Sequence, residues 1–419
     1  MKYNSITRRN FMKTTALTAG AFLVDPHILK GSSANSAIRI GFLGCGSRGT
    51  SVAEAFVNNT NSRIVAIADL FEDNLMTAAK HWNGIAVKKG YAGIDPKLMF
   101  KGPDAYKQIA HCEQVDMIIL SSPDYFHPQH LAEIVSAGKH VYSEKPAGVD
   151  VAGCLSFIET GERAKGKLSL DVGFQVREAP CFSKVVNRIH QGAIGKVCYG
   201  SIHYHASAIG YPEYPSASPL EKRIRRFYWD RVLSGDTIVD QDIHVIDITN
   251  WVLKGHPLKA VGTGGRKVRN DAGNIWDNWS ISFTYPEEVH INFSAVQFAD
   301  FWDVGVRFIG DQGIGESNYN GLGRITGNQA WSSMEVKEGG DFSTAGTFDG
   351  LGNADALKTT KFIESIVSGN YHNQAREGGE SALSAILGRM AAYEGREVTW
   401  EEMISSKQSY QGEIDLSKL

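Results

Sequence analysis

The sequence predicts an α/β domain, a parallel sheet with helices on both faces, followed by an α+β domain with a largely antiparallel open sheet. Three observations support this fold class. Short apolar strands alternate with helical segments between Ile38 and Phe174, and a glycine-rich turn follows the first of these strands. After Arg177 the runs are longer, alternate apolar with polar residues, and are separated by turn-forming residues. The first pattern is typical of parallel sheets and the second of antiparallel sheets.

Length and composition narrow the class of protein. The chain has 419 residues, enough for two or three domains, and 42% of them are hydrophobic. Lys and Arg total 43 against 46 Asp and Glu, a net charge of −3, and there is no long basic run. The five cysteines are widely spaced. These features argue against a disordered chain, a nucleic-acid-binding protein and a disulfide-stapled fold.

The first 34 residues are predicted to be a targeting segment rather than part of the fold. Arg8 and Arg9 precede Phe11 and an uncharged stretch from Thr14 to Val24, which resembles a twin-arginine export signal. The apolar stretch is about half as long as a membrane-spanning helix requires. A basic amphipathic helix is the alternative interpretation. We therefore expect a periplasmic protein without stable membrane insertion, and residues 1–34 are set apart from the fold.

A dinucleotide-binding turn is predicted directly after the first strand, Ile38–Leu43. The turn consists of Gly44, Cys45, Gly46, Ser47, Arg48 and Gly49. A helical segment and a second, β-branched strand follow, and that strand ends at Asp69. In the Rossmann fold such glycines allow a tight turn, a close approach of the backbone to a pyrophosphate, and close packing of helix on strand. We expect NAD to bind here.

Asp69 bears on the choice between NAD and NADP. A carboxylate at this position accepts hydrogen bonds from the ribose hydroxyls and repels a 2′-phosphate, which favours NAD. Leu70 and Phe71 offer no cation for that phosphate. Arg48 weakens the preference, because its side chain could reach a ribose phosphate; the alternative is an arginine that faces solvent.

Further strand–helix units extend the predicted sheet. They are Val115–Leu120, Pro128–Ala137, Lys139–Tyr142, Val151–Ala164 and Leu168–Phe174. Ligands of parallel sheets bind beyond the carboxyl ends of the strands. The residues there are Ser121, Ser122, Pro123, Glu144, Lys145 and Gln175. We therefore predict a Rossmann domain over residues 38–175 and a substrate-binding and oligomerisation domain over residues 176–419.

Four motifs together resemble one family. The GCGxxG turn, Ser-Pro-Asp-x-x-His after a later strand, Glu-Lys-Pro after the next, and Asp-Gln-Asp-Ile-His at residues 240–244 are similar to the Gfo/Idh/MocA oxidoreductases. The resemblance implies that Lys145 lies near the nicotinamide and that Asp240 and His244 face the reacting carbon. It places Ser122, Pro123 and His127 beside the cofactor, and Gln175 and Arg177 where the chain leaves the nucleotide domain. It also implies a homo-oligomer, a dimer or tetramer.

The same residues suit alcohol oxidation on chemical grounds. A hydroxyl proton must leave as the carbon is oxidised; a histidine near neutrality suits that role, and a lysine ammonium stabilises alkoxide character. Asp240 and His244 are four residues apart, which on a helix places them on one face. Asp247 is an alternative partner for the imidazole. Asp242 points away from that face in a helix, so we predict no metal site.

The second half is predicted to supply the substrate site. Its expected strands are Val197–His205, Lys259–Lys267, Trp276–Tyr285, Glu288–Phe298 and Val304–Ile309. Helices are expected at Ala354–Ser368 and Gly379–Glu394. A proline- and aromatic-rich segment from Ile209 to Trp229 is a candidate lid, and Trp229 a candidate substrate contact, because aromatic faces stack on sugar rings. The neighbouring cations from Lys222 to Arg226 form a basic cluster that is either a solvated loop or an anion contact.

We therefore expect an exported NAD-dependent oxidoreductase that transfers hydride between a secondary hydroxyl of a sugar or glycoside and a nicotinamide. In one variant the hydroxyl is that at C3. The nicotinamide is expected to be tightly held and recycled. Lys145, Asp240 and His244 are the expected catalytic residues, and these three with Arg177 and Trp229 the expected substrate contacts. A glycoside hydrolase using transient oxidation is one alternative, although the glycosidase branch of the family lacks the Glu-Lys-Pro lysine. A non-catalytic, NAD-holding sugar-binding protein is another.

Overall fold

Two β-sheets organise the protein, and the computed structural model describes them within residues 37–333 and 351–419. Residues 38–419 form one compact unit. The predicted export signal lies outside the described residues. No helix in the described ranges is both long enough and apolar enough to cross a membrane.

The first sheet has six strands, and every neighbouring pair in it is parallel. Its strands are β1 (Ile38–Leu43), β2 (Ser62–Asp69), β3 (Met99–Lys101), β4 (Met117–Leu120), β5 (His140–Ser143) and β6 (Leu170–Val172). Their order across the sheet is β3-β2-β1-β4-β5-β6. The chain therefore reverses direction across the sheet between β1 and β4, the switch point at which α/β sheets bind ligands. The predicted Rossmann sheet is confirmed.

Helices cover both faces of this sheet. They are α1 (Ser47–Asn59), α2 (Glu72–Lys89), α3 (Ala105–Ala110), α4 (His127–Ser136) and α5 (Val151–Ala164). Successive residues of β4 enter different cores: Ile118 packs in one apolar cluster and Ile119 in the other. Strands buried on both faces are typical of parallel sheets. None of α2, β3 and α3 was predicted from the sequence. A three-residue strand and a six-residue helix are too short to show periodicity, whereas α2 is long enough and was overlooked.

The second sheet has nine strands. They are β7 (Val197–His205), β8 (Lys259–Gly265), β9 (Asn278–Tyr285), β10 (Val289–Val296), β11 (Asp303–Gly310), β12 (Gly313–Asn318), β13 (Gly323–Gly327), β14 (Trp331–Ser332) and β15 (Val398–Thr399). Their order is β14-β13-β12-β11-β7-β10-β9-β8-β15. The pair β7–β10 is parallel and the others are antiparallel. The predicted largely antiparallel sheet is confirmed.

The remaining α-helices follow β6 in the chain. They are α6 (Pro180–His190), α7 (Pro219–Arg225), α8 (Arg231–Ser234), α9 (Thr237–Asp240), α10 (Ile243–Leu253), α11 (Ala354–Ser368), α12 (Ala375–Glu394) and α13 (Trp400–Ser406). Helix α11 packs on the first sheet, where Phe362 meets Phe56 of α1 with ring centroids 6.0 Å apart. A late segment of the chain thus completes the core of the first sheet, while the division at residue 175 stays a prediction.

Candidate functional site

The glycine-rich turn has the geometry that a bound pyrophosphate requires. Gly44 has φ of +90°, and a Cβ there would lie 2.4 Å from the backbone oxygen of Ser121. A Cβ on Gly49 would lie 2.2 Å from Oγ of Ser121, so both positions need glycine. A Cβ on Gly46 meets nothing within 4 Å. Gly46 is the N-cap residue of α1 and has no side chain that could accept a hydrogen bond from the helix. The backbone N–H groups of the first turn are therefore available to an anion.

Asp69, at the end of β2, is 7% exposed and is oriented by three donors. Its carboxylate accepts hydrogen bonds from the backbone N–H of Cys45 (2.7 Å) and Phe71 (2.8 Å) and from the amide of Asn74 (3.3 Å). Burial raises the pKa of Asp69, although these hydrogen bonds oppose that shift. A carboxylate has about four acceptor positions. Asp69 therefore keeps capacity to bind ribose hydroxyls.

A cavity of about 380 Å³ joins the glycine turn to Asp69. Its floor includes Gly44, Gly46, Ser47, Asp69, Ser121, Ser122 and Pro123. Tyr214, Ile224, Arg225 and Phe227, which lie more than a hundred residues later in the chain, line it as well. The free N–H groups at one point of the cavity and the carboxylate at another fit the phosphates and adenosine ribose of a dinucleotide. The residues present therefore fit NAD.

Arg48 is engaged with carboxylates rather than free for a ribose phosphate. Its Nε lies 3.1 Å from Oε1 of Glu144, and its Nη2 lies 3.0 Å from Oδ1 of Asp355. Burial alone lowers the pKa of Arg48, but Glu144 and Asp355 outweigh it and raise the pKa overall. Glu144 is 5% exposed. Glu144 and Arg48 thus neutralise each other behind the glycine turn.

The loop after β4 is held by hydrogen bonds within the protein. Ser121 donates from Oγ to the backbone oxygen of Gly44 at 2.8 Å. Ser122 Oγ lies 2.9 Å from Nδ1 of His130. His127 is fully buried, and its two ring nitrogens lie 2.7 Å from the backbone oxygens of Ser122 and Pro146. His127 thus positions the two loops that flank the cofactor cavity.

Lys145, Asp240 and His244 come together beyond the carboxyl end of β5. The ammonium of Lys145 donates to the backbone oxygen of Asp240 and lies 3.8 Å from its Oδ1. His244 is 6% exposed, meets Phe174 edge to face at 6.0 Å, and has no hydrogen-bond partner on Nδ1 among the described residues. Burial, then Lys145 and Arg48, lowers the pKa of His244 well below its usual value. The imidazole is therefore neutral at physiological pH.

The two acidic partners considered for His244 are arranged differently from the prediction. Helix α9 ends at Asp240 and α10 begins at Ile243, so the expectation that Asp240 and His244 share one helix face is wrong. Asp247 does not orient the imidazole. Its carboxylate accepts from Nε and Nη2 of Arg177, each at 2.7 Å, and from Oγ of Ser381. Arg177, the expected substrate contact, is therefore held in a nearly buried ion pair.

Gln175 and Trp229 each present an unpartnered polar atom. Gln175 follows β6, and its Oε1 is buried without a hydrogen-bond donor in the described ranges. Trp229 is 8% exposed, packs against Tyr211 and Tyr228, and lines a separate cavity of about 220 Å³. Its indole nitrogen is buried and likewise unpartnered. The cavity containing Trp229 differs from the one above the glycine turn.

The predicted basic cluster is paired internally. Arg223 contacts Asp230, Arg226 contacts Glu213, and Arg225 contacts both Glu221 and Asp73. Lys222 donates to the backbone oxygen of Pro215. These arginines therefore organise the segment from Ile209 to Trp229 instead of forming an open anion patch.

Two features of the site escaped the sequence analysis. Asp124, inside the Ser-Pro-Asp-x-x-His motif, is 4% exposed and its carboxyl group contacts that of Asp240. Its position beyond the end of β4 was the available signal. The closure of the cavity by Arg225 over Phe71 had no local signal, because the two residues are far apart in the chain.

Comparisons with known proteins agree with this geometry. Residues 38–172 match the model of an oxidoreductase family with an NAD-binding Rossmann fold, GFO_IDH_MocA. Residues 182–316 match the C-terminal domain of the same family. An α-N-acetylgalactosaminidase of Shewanella oneidensis is 27% identical over 226 residues, which are 48% of this chain and 46% of the relative. The chain thus matches about half the length of such curated relatives.

Solved structures share the fold at low identity. The aldose-aldose oxidoreductase of Caulobacter crescentus, complexed with glycerol, is 18% identical with a TM-score of 0.67, over 87% of this chain and 99% of that one. The scyllo-inositol dehydrogenase of Lactobacillus casei, with bound NAD(H) and scyllo-inositol, is 18% identical with a TM-score of 0.66 at the same coverage. With both domain models matched in order along one chain and the glycine turn in place, the protein belongs to the Gfo/Idh/MocA family of NAD-binding oxidoreductases.

Proposed function

We propose that the protein oxidises a secondary hydroxyl group of a sugar or glycoside, with Lys145, Asp240 and His244 as its catalytic residues. The observation that carries this proposal is the convergence of Lys145 on Asp240 beside a buried, neutral imidazole. A bound nicotinamide dinucleotide supplies the two-electron acceptor for the reaction. The sugar and inositol dehydrogenases that share the fold support a polyhydroxylated substrate.

His244 is the proton acceptor in this proposal. Its lowered pKa keeps the ring neutral, so a nitrogen is available to take the hydroxyl proton as the alcohol is oxidised. The ring is held by Phe174 rather than by a carboxylate, since Asp247 is bound to Arg177. The neighbouring ammonium opposes a charged imidazolium, which favours passing the proton onward to solvent.

Lys145 and Asp240 position the substrate. An ammonium has three donors, and the contact with the backbone oxygen of Asp240 leaves others for a sugar oxygen. The positive charge stabilises alkoxide character on that oxygen. The carboxylate of Asp240 accepts from a second hydroxyl of the ring. Ser122 lines the cofactor cavity, and Glu144, His127 and Gln175 are the further residues that we propose on the cofactor side.

The cofactor we propose is NAD, retained and recycled rather than exchanged. Asp69 disfavours a 2′-phosphate, and Arg48 of the glycine turn is paired with Glu144 and Asp355. Arg225, which also lines the cavity, is paired with Asp73 and Glu221. The cover formed by Tyr214 and Arg225 supports retention. Retention suits the export that Arg8 and Arg9 suggest, because free NAD is scarce outside the cytoplasm. We further propose a periplasmic homo-oligomer.

The test is to denature purified protein and assay the supernatant for NAD(H), and then to add sugars to intact protein while following absorbance of the reduced nicotinamide. Methyl glucosides, glucose and scyllo-inositol are suitable probes. We expect released NAD(H) and a change in absorbance with at least one sugar. A cofactor-free protein that responds to no sugar when NAD is supplied would contradict the proposal.

A second candidate function is glycoside cleavage through transient oxidation, elimination and re-reduction. The identity of 27% to an α-N-acetylgalactosaminidase favours it, whereas Lys145 argues against it, as the glycosidase branch lacks that lysine. Incubation of purified protein with a chromogenic α-N-acetylgalactosaminide distinguishes the two, since release of the aglycone requires hydrolysis. A protein that binds sugar with unchanged affinity after Lys145→Ala, and that turns over no probe in its parent form, would instead be a non-catalytic binder.

A further inference from the structure

Asp124 occupies an unusual position beside the proposed catalytic residues. It begins the short 3₁₀ turn Asp124–Phe126 that connects β4 to α4, directly after Pro123. The residue is 4% exposed, and its Oδ2 receives no hydrogen bond from any donor in the described ranges. Its carboxyl group lies in hydrogen-bonding contact with that of Asp240. A buried carboxyl group facing another carboxyl group requires an explanation.

The charges around this contact do not balance if every carboxyl group is ionised. Asp124 and Asp242 each lie within electrostatic reach of Asp240 and of Lys145. Asp242 is fully buried and accepts one hydrogen bond, from the amide of Gln297 at 3.2 Å. Glu144 also lies near Asp124, but it forms an ion pair with Arg48. One ammonium therefore faces three carboxyl groups, and those of Asp124 and Asp242 are buried.

A proton on one of the two carboxyl groups explains the contact between Asp124 and Asp240. Two ionised carboxylates have only acceptors, so they repel each other and form no hydrogen bond. If one of them is protonated, its O–H donates to the other, and the bond to a charged acceptor is among the stronger kinds. Oδ1 of Asp240 lies 3.8 Å from the ammonium of Lys145, so Asp240 is the carboxyl group that forms the ion pair. The proton then belongs on Asp124.

Resting on the proposed function, we propose that Asp124 is a positioning residue, which stays protonated and donates a hydrogen bond that orients the Asp240 carboxylate beside Lys145 for the sugar. The proton stays on Asp124 throughout the reaction and no bond to carbon changes there. Asp240 is thus free to use its second oxygen for a substrate hydroxyl.

The electrostatic surroundings agree with this assignment. Burial, and after it the neighbouring Asp240, raises the pKa of Asp124 well above its ordinary value, while Lys145 acts in the opposite direction. Burial also raises the pKa of Asp242, which is the other carboxyl group that could carry a proton here. Any experiment must therefore separate Asp124 from Asp242.

Infrared spectroscopy of the holoprotein tests the protonation without any substrate. We expect a carbonyl band of a protonated carboxyl group at neutral pH that disappears in Asp124→Asn. Asp242→Asn is the matched control, because it removes a different buried carboxyl group and leaves the Asp124 band in place. An unchanged spectrum in Asp124→Asn would overturn the proposal. Since this measurement needs no turnover, it remains decisive even if the proposed sugar oxidation fails.

Kinetics with whichever probe sugar reduces the bound cofactor test the positioning role. The amide of Asp124→Asn also donates to Asp240, so we expect kcat within about threefold of the parent. Asp124→Ala loses the donor, and kcat should fall about tenfold to a hundredfold, the effect of one hydrogen bond to a charged group. Equal losses in the two variants, with thermal unfolding of Asp124→Asn unchanged, would show that the donated hydrogen bond is not what matters and would overturn the proposal.

Discussion

The guanidinium of Arg225 contacts Asp73 across 152 residues of sequence, with Nη2 lying 2.7 Å from Oδ1. The same guanidinium lies 3.9 Å from the ring centre of Phe71, two residues after Asp69. The hydrogen bond from Arg225 lowers the pKa of Asp73. These contacts thus hold a segment of the second half of the chain over the end of the cavity that contains the Asp69 carboxylate.

Removing the contacts of Arg225 with Asp73 and Phe71 should increase the rate at which the cofactor dissociates. Arg225→Ala removes the ion pairs with Asp73 and Glu221 and the stacking contact with Phe71, which together contribute about 1–2 kcal/mol. We expect NAD(H) to dissociate about fivefold to thirtyfold faster. Dissociation is measured by the fluorescence of the reduced nicotinamide after transfer into cofactor-free buffer.

The matched control is Arg376→Ala, which removes an exposed ion pair with Glu162 away from the cavity. Its dissociation rate should equal that of the parent. If Arg225→Ala also retains its cofactor at the parental rate, the contact with Phe71 and Asp73 does not hold the cavity closed.

The ammonium of Lys145 should set the acid limit of activity. Because burial and Lys145 lower the pKa of His244, the neutral base persists below pH 6.5, the usual value for histidine. In Lys145→Met one of these causes is removed, so the pKa of His244 rises. The acid limb of kcat/KM in the residual activity should therefore move to higher pH, and kcat should fall about a hundredfold or more.

Lys361→Met is a suitable control, since Lys361 is an exposed lysine paired with Glu178. Its pH profile should superimpose on that of the parent. An acid limb that stays in place in Lys145→Met would mean that the lysine does not act on the base.

Two glycine variants should separate cofactor binding from folding. Gly46 has an ordinary φ of −75° and open space at its Cβ position, so Gly46→Ala should change the free energy of unfolding by less than about 0.5 kcal/mol. Its methyl group enters the cavity, however, and should weaken NAD binding. Gly49→Ala places a Cβ 2.7 Å from the backbone oxygen of Gly44 and should destabilise the fold by about 1–3 kcal/mol.

Calorimetric titration with NAD and urea unfolding measure the two effects. Equal destabilisation in Gly46→Ala and Gly49→Ala would contradict the proposed difference between the two positions. Normal NAD affinity in a folded Gly46→Ala protein would mean that the pyrophosphate does not approach the turn there.

A buried ion pair should stabilise the contact of α11 with the first sheet. Lys358 and Asp171 are 1% and 2% exposed, with Nζ 2.6 Å from Oδ1, and His372 adds a contact at 3.4 Å. Lys358→Met leaves the buried carboxylate of Asp171 without its ammonium partner and should lower the free energy of unfolding by about 3–5 kcal/mol at neutral pH. The double variant Asp171→Leu/Lys358→Met should be less destabilised than the single variant.

The contribution of the Lys358–Asp171 ion pair to the free energy of unfolding depends on pH. Burial by itself raises the pKa of Asp171, but Lys358 and His372 outweigh it and lower the pKa below 3.8. The pair therefore stabilises the parent above that pH, and its contribution is lost as the pH falls through the lowered pKa. In Lys358→Met the carboxyl group of Asp171 takes up a proton more readily. The difference in the free energy of unfolding between the parent and the variant should therefore be smaller at acidic pH. Urea unfolding at two pH values checks this, and an equal effect at both would contradict it.

Local patterns predicted the first half of the fold well. The strand Ile38–Leu43 and the helix Val151–Ala164 occur with the predicted bounds, and Asp69 ends its strand as expected. These features depend on residues adjacent in the chain, whose periodicity and turn preferences are visible locally. The strand Val197–His205 and the helix Ala354–Ser368 were predictable for the same reason.

The roles of individual charges depended on the folded chain. Arg48 meets Asp355 across 307 residues, and Arg177 takes Asp247, the carboxylate considered for His244. Nothing near an arginine in sequence reveals which distant carboxylate it will meet, since burial selects the partner only after the elements have packed. The sequence motifs identified the chemical groups of the candidate site. Long-range packing determined which groups pair, which are buried and which are protonated.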